Sequence, residues 1–255
     1  MRSLTRPLEG KIALVTGASR GIGAATAAAF AAAGAAVVLA ARNEQELEAL
    51  AAEIATTGGQ AMAVATDVTD ETAVRALIER TVAEHGRVDV AFNNAGHGHQ
   101  PVPLAELAVE EFDEVLAVNA RGVFLAMKHE LRAMLASGGG AIINMTSTAG
   151  GRGVRGIAGY VAGKHAIVGL TKTAALDYAD RGIRVNAVAP GPIATHRLEQ
   201  LPEQTRAAIA AAVPLGRLGE PGDVADVVLW LSSEQASFIT GAVIPIDGGK
   251  TAGGA

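Results

Sequence analysis

The feature that most constrains this chain is an alternation. A short apolar run is followed by a glycine or turn residue and then by a longer helical stretch. "KIALVT" (Lys11 to Thr16) opens the series, and "AAVVLAA", "AMAVATD", "VDVAFNN", "GAIINMTS", "IRVNAVAP" and "AVIPIDGG" continue it. These runs are β-type and nearly continuous in apolar residues, as strands are when helices cover both faces of a sheet. Between them the pattern predicts an Ala-rich helix stopped by Gly34, a charged helix from about Asn43 to Thr57, and one capped by Asp70 that runs to about Glu84. Helices are also expected over roughly Leu104 to Val118, Gly122 to Ala136 and Ile157 to Asp180, and at "DVADVVLWLSS". The segment from Ile193 to Leu215 reads as less regular. Such alternation specifies an α/β chain with a parallel sheet. A closed β/α barrel is the competing architecture, but seven strands and a glycine signature after the first favour an open sheet.

A chain of 255 residues, 49% hydrophobic, can bury one large core. Residues 1–255 are therefore expected to form a single domain, with 1–9 and 250–255 as flexible ends. Aromatic residues are only 3%, so small and branched side chains must fill that core. The net charge of −5 is interspersed, without a basic run, so no nucleic-acid partner is expected. The absence of cysteine excludes disulfides and thiol chemistry and fits the cytoplasm. No signal peptide and no membrane span are expected, since no apolar run is long enough.

"TGASRGIG" places Gly17, Gly21 and Gly23 directly after the first strand. Glycines permit a tight turn and close backbone approach. The following helix offers free N–H groups and a positive dipole end to a pyrophosphate. An acidic residue at the end of the second strand would bind a ribose 2′-hydroxyl and repel a 2′-phosphate. This chain has Ala41 and Arg42 there, with Arg20 in the glycine loop. Two guanidiniums favour a phosphorylated ribose, hence NADP(H) over NAD(H).

"GYVAGKHAIVG" holds Tyr160 and, four positions on, Lys164. Residues at that spacing share a helix face. A nearby ammonium favours the phenolate, so the pair can exchange a proton with an alcohol or ketone near neutral pH. An isolated Y-x-x-x-K also arises by chance as a surface lysine beside a packed tyrosine.

Other segments change those odds. The chain carries TGASRGIG, DVT (Asp67 to Thr69), NNAG (Asn93 to Gly96), VNARGVF (Val118 to Phe124), MTS ending at Ser147, YVAGK (Tyr160 to Lys164), APGPIAT (Ala189 to Thr195), PLGRLGEP and IDGG. In this order and spacing, from about Gly10 to Gly249, it resembles the short-chain dehydrogenase/reductase family, in its compact, 3-oxoacyl-reductase-like branch. The resemblance implies a Rossmann-like, doubly wound, seven-stranded parallel sheet with helices on both faces. It implies Tyr160 as acid/base, Lys164 on the nicotinamide ribose, Ser147 on the substrate oxygen, and Asn119 bending its helix and holding a water. Ser147 is flanked by Thr146 and Thr148, either of which could face the cleft instead. Asp67 and Val68 would contact adenine, and Asn94, Ala95 and Gly96 would line the cofactor cleft. Ile193 and Thr195 would hold the carboxamide. Further cofactor contacts are implied at Ser19, Ile22, Pro190 and Gly191. A homotetramer is implied too, built from the helices around 104–136 and 157–180 and from the last strand.

The implied activity is hydride transfer between NADP(H) and a small carbonyl or secondary alcohol. An NAD-dependent alcohol or sugar dehydrogenase and a non-enzymatic dinucleotide-binding regulator are the alternatives; an epimerase would need a longer C-terminal part. Three loops are expected to form the substrate pocket: "HGHQPVP", "TAGGRGVRGIAG" and "THRLEQLPEQTRAAIAAA", the last as a lid. His97, His99, Arg152 and Arg155 lie in the first two and either read a polar substrate or are ordinary solvated loop residues. No carboxylate or cysteine cluster accompanies the histidines, so no metal site is expected.

Overall fold

A computed structural model describes residues 6–253. Seven strands form one sheet: β1 (Ile12–Thr16), β2 (Ala36–Ala41), β3 (Gln60–Ala65), β4 (Val90–Asn93), β5 (Gly140–Met145), β6 (Ile183–Pro190) and β7 (Val243–Ile246). The spatial order is β3-β2-β1-β4-β5-β6-β7, and every pair is parallel. β3 and β7 are opposite edges, so the sheet is open and the barrel alternative is excluded. The chain winds outward from β1 to β3, then returns to β4 on the other side of β1. That reversal makes a crevice at the carboxyl ends of β1 and β4, where ligands bind in sheets of this kind.

The helices are α1 (Gly21–Ala32), α2 (Glu44–Thr56), α3 (Glu71–His85), α4 (Val109–Leu116), α5 (Val123–Ser137), α6 (Ala158–Tyr178), α7 (His196–Glu199), α8 (Glu203–Ala211) and α9 (Pro221–Ser232). Strand side chains alternate between two cores. Ala13, Val15, Val37 and Leu39 meet Phe30 of α1, Leu47 and Ile54 of α2 and Val228 of α9. Leu14, Val38 and Ala40 meet Leu77 and Ile78 of α3. Farther along that second face, Ala91, Ile142 and Val185 meet Met127 and Leu131 of α5 and Ile167 of α6.

Local signals account for several boundaries. Asn43 and Asp70 accept backbone N–H bonds as N-caps of α2 and α3. Gly86 ends α3 at φ +81°, a conformation that favours glycine. Elsewhere the structure departs from expectation. The helix expected over 104–118 is broken into a 3₁₀ turn, Leu104–Glu106, and α4. The gap expected before Gly122 is instead a π-helical turn, Ala117–Gly122, that joins α4 to α5 without a break. The irregular segment 193–215 contains α7 and α8. Of the two expected loose ends, residues 1–5 and 254–255 lie outside the described residues. Within the described parts, Leu8 is in the core, and Thr251 donates from its N–H and hydroxyl to Asp247.

Polar side chains interrupt the second core. Asn93 Nδ2 donates to Glu130 Oε2 at 2.9 Å and to Asn144 Oδ1 at 3.0 Å, and Asn144 Nδ2 donates to Thr171 Oγ1 at 3.0 Å. Glu130 is 0% exposed. Its Oε1 and Asn93 Oδ1 are both buried acceptors without a partner among the described residues. A neutral carboxyl suits such a site better than a carboxylate, because burial without a counter-charge penalises the ion. Burial pushes the Glu130 carboxyl from 4.5 up to about 7. The folded state therefore keeps a proton that the unfolded chain loses, so stability falls as pH rises from about 4.5 to about 7. The fall attributable to Glu130 is on the order of 3 kcal/mol. Glu130→Gln should remove that slope, because an amide offers one donor and one acceptor at any pH. Denaturant melts of both proteins at about pH 5 and about pH 8 check this, and equal slopes would refute a neutral Glu130.

Candidate active site

The cleft begins where β1 ends. Gly17 takes φ +63°, and a Cβ there would lie 2.9 Å from Ala95 Cα. A Cβ on Gly23 would lie 2.2 Å from the Gly17 carbonyl oxygen. Only glycine fits both places, so the backbone turns tightly and presents the N-terminus of α1. Asn94 fastens the turn: its Nδ2 donates to the carbonyls of Thr16 and Gly17 at 3.1 and 2.9 Å. The resulting cavity, about 1060 Å³, is lined by Gly17, Ser19, Arg20, Gly21 and Ile22 on one side and by Asn94, Ala95 and Gly96 on another. Thr195 closes it from above, with its Cγ2 over Gly21. Bare backbone and a helix N-terminus of this kind fit the pyrophosphate of a dinucleotide.

One end of the cleft is lined by Arg42, Asp67 and Val68. The Thr69 N–H and hydroxyl donate to Asp67 Oδ1 at 2.9 and 2.8 Å. Those two bonds, with a smaller effect from the Arg42 charge, hold the Asp67 carboxyl below its ordinary range. Asp67 is thus an ionised acceptor at neutral pH. Arg42 and Arg20 are both exposed there. Asn43 and Glu46 also line this end, which the sequence reading missed. Glu46 enters because Asn43 caps α2 and turns its first residues toward the cleft.

Beyond Gly96 lie the other candidates. Lys164 is 3% exposed, and its Nζ donates to the Met145 carbonyl at 2.8 Å. That nitrogen stands 5.5 Å from the centre of the Tyr160 ring. Burial pushes its pKa from 10.5 down to about 8. A Cβ on Gly96 would lie 2.6 Å from Asn119 Oδ1 and 3.3 Å from Lys164 Nζ, so this glycine lets both groups reach the cleft wall. Asn119 sits in the π-helical turn, and a Cβ on Gly163 would lie 2.9 Å from its Cβ. Its Oδ1 accepts from the His97 N–H at 3.1 Å, and its Nδ2 donates to the His97 carbonyl at 2.6 Å. The side-chain amide of Asn119 thus pairs with the His97 backbone. Ser147 is extended, at φ −168°, and caps a short 3₁₀ turn through Oγ. Thr146 is removed from contention: its hydroxyl donates to the Lys164 carbonyl at 2.8 Å.

Not every expected residue lines the cleft. Pro190 ends β6, and the Gly191 N–H is bonded to Ile246. Ile193 has its side chain in the core, against Gly219. It lines a separate cavity of about 340 Å³ with Arg217 and Asp247. Arg152 and Arg155 are exposed on their loop, while His97 lines the cleft 3.7 Å from Glu114. His99 is buried, contrary to a solvated loop role. From the expected lid, His196 and Gln200 form part of the cleft wall, bonded to each other at 2.9 Å.

Gly23→Ala should weaken dinucleotide binding by about tenfold or more, since the new Cβ must displace the Gly17 carbonyl. Gly222→Ala is the control, because its Cβ would meet nothing within 4 Å. A fluorescence titration with the dinucleotide reads both, and equal affinity in the two variants would contradict the role given to this turn.

Known proteins resemble this chain over nearly its whole length. Residues 17–251 match the family described as enoyl-(acyl carrier protein) reductase. The cis-4-hydroxycyclohexanecarboxylate dehydrogenase of Sinomonas cyclohexanicum is 45% identical over 242 residues, 95% of this chain and 97% of that protein. The cyclohexanol dehydrogenase of Acinetobacter sp. (strain SE19) is 42% identical over 248 residues, 97% and 98% of the two chains. The crystal structure of levodione reductase superposes with a TM-score of 0.94 at 37% identity, covering 97% of this chain and 100% of that one. With its parallel sheet, glycine turn and Tyr160–Lys164 pair, the chain belongs to the short-chain dehydrogenase/reductase family and is an NAD(P)-dependent oxidoreductase of CH–OH groups.

Proposed function

We propose that this chain interconverts a ketone and a secondary alcohol with NADP(H), using Tyr160 as the acid/base. The observation that carries this reading is the buried Lys164 ammonium, 5.5 Å from the Tyr160 ring and directly behind Gly96 of the cleft. Gly17, Gly21 and Gly23 would shape the pyrophosphate seat, with Ser19, Ile22 and the main chain of 94–96 beside it. Asp67 and Val68 would hold the adenine. Pro190, Gly191, Ile193 and Thr195 would act at the nicotinamide end, the first three through main chain. When bound, the nicotinamide supplies or accepts the hydride. Tyr160 delivers a proton to the carbonyl oxygen or removes it from the alcohol. Ser147 orients that oxygen and stabilises the charge that grows on it. Lys164 favours the tyrosinate electrostatically and bonds the ribose. Asn119 fixes the wall of the site through His97.

Names of the relatives support an alicyclic substrate, since two of them act on cyclohexane-ring alcohols. Exposed Leu104, Val109, Phe124 and Leu176, with β7 at the sheet edge, support a homotetramer. The lack of cysteine supports a cytoplasmic setting. No helix among the described residues is long and apolar enough to cross a membrane.

Tyr160→Phe should lower turnover about a thousandfold while changing dinucleotide affinity less than about threefold. Steady-state assays with a cyclic ketone check this, and near-normal turnover of the phenylalanine variant would end the assignment.

Arg42→Ala should raise the KM for NADPH about tenfold and leave that for NADH within about threefold. Parallel titrations test it. A wild-type preference for NADH would overturn the cofactor assignment and leave the catalytic one standing.

A further inference from the structure

The turn of α6 that carries Tyr160 begins without a cap of its own. The preceding residue is Ile157, which offers no side-chain acceptor. The first N–H groups of any helix lack partners within it. Here the Gly159 N–H donates to Nε2 of His99, 3.2 Å away and 60 residues earlier in the chain. A side chain from the loop after β4 thus supplies the cap.

The bond fixes the state of the ring. An N–H can only donate, so Nε2 is an acceptor and carries no proton. The ring proton then lies on Nδ1, which is 2.8 Å from the Gln100 carbonyl and donates to it. His99 is 4% exposed. A Cβ at position 159 would lie 3.3 Å from its Cδ2, so the ring lies flush on the glycine backbone. The Val102 N–H makes a second tie, to the Gly156 carbonyl at 2.9 Å. At its other end the loop is held by Asn119 on His97, which lines the cleft.

We propose that His99 is a positioning residue: as a neutral imidazole it caps the helix turn that bears Tyr160 and sets that turn against the 97–103 loop. This deepens, and rests on, the reading of Tyr160 as acid/base. Without the cap the turn loosens, and the phenol loses its alignment with the substrate oxygen. Small misplacements of a reacting group are costly, so the loss falls on turnover. Dinucleotide binding depends mainly on the glycine turn and is spared.

His99→Gln and His99→Leu separate the possibilities. Glutamine places an amide oxygen near the position of Nε2; leucine fills the space without an acceptor. Three quantities are measured on the full chain: kcat and KM with a cyclic ketone, dinucleotide affinity by fluorescence, and hydrogen–deuterium exchange of the peptide containing Gly159. His99→Leu should lower kcat about tenfold to a hundredfold, keep dinucleotide affinity within about threefold, and speed exchange at Gly159. His99→Gln should restore most of the turnover and the protection. Should the leucine variant not fold, His99→Ala serves the same comparison.

Normal kcat in the leucine variant overturns the proposal. So does a glutamine variant that is protected at Gly159 yet as slow as leucine, which would mean that the imidazole itself touches substrate. Loss of dinucleotide affinity with exchange raised throughout the chain would mean a role in folding only. Tyr160→Phe is assayed alongside. If it keeps its turnover, the acid/base reading fails, whereas the exchange comparison at Gly159 still decides the cap.

Discussion

Just past the β1–β4 ladder, one side-chain amide fastens the two strands where a dinucleotide must enter. At the carboxyl ends of β1 and β4 the strands part, and the carbonyls of Thr16 and Gly17 run out of ladder partners. Asn94 Nδ2 takes both, and the Asn94 N–H donates to the Thr16 hydroxyl at 3.1 Å. Buried carbonyls left unpaired would cost about 1–3 kcal/mol each. Everything in the cleft follows from this clamp. It draws the glycine turn against β4, which leaves no room for a Cβ on Gly17 or Gly23. It thereby aims the start of α1 into the crevice.

The second constraint is a charge in the wrong solvent. Lys164 is a buried ammonium whose Nζ donates to the Met145 carbonyl at 2.8 Å. An ion so placed is costly, and its lowered pKa expresses that cost. Thr146 bonds the carbonyl of the same lysine, so β5 and α6 are laced at both ends of one residue. Asn119 presses on Gly163 one residue before it. The site is rigid because each of these groups satisfies another.

The strands were legible because they are covered on both faces and so read as unbroken apolar runs. Caps at Asn43 and Asp70 and the stop at Gly86 were legible because each is a local bond or a local dihedral. The bend at Asn119 was implied only by the family resemblance, since the groups its side chain meets, at His97 and Gly163, lie in distant segments. Glu130 is buried against Asn93, and no periodicity announces such a pair. His99 reads as one more polar residue in a polar loop. Its clue was negative: a long helix beginning at Ala158 with isoleucine where Ser, Thr, Asp or Asn is usual. Ile193, within a cofactor motif, places its side chain in the core, which the motif alone does not announce.

Scarcity of aromatic residues and abundance of glycine have a common cause around Tyr160. Gly96, Gly159 and Gly163 each stand where a neighbouring side chain approaches within the reach of a Cβ: Asn119 and Lys164 at the first, His99 and Phe112 at the second, Asn119 again at the third. Larger residues there would push α6 away from β4 and β5 and carry the phenol with it. The half-buried Tyr160 and the buried Lys164 are therefore placed by close backbone approach. Arg152 and Arg155 stand outside that packing, on an exposed loop that can change without disturbing it. Packing around Tyr160 therefore restricts which residues can stand at 96, 159 and 163, a restriction that the exposed loop of Arg152 and Arg155 does not share.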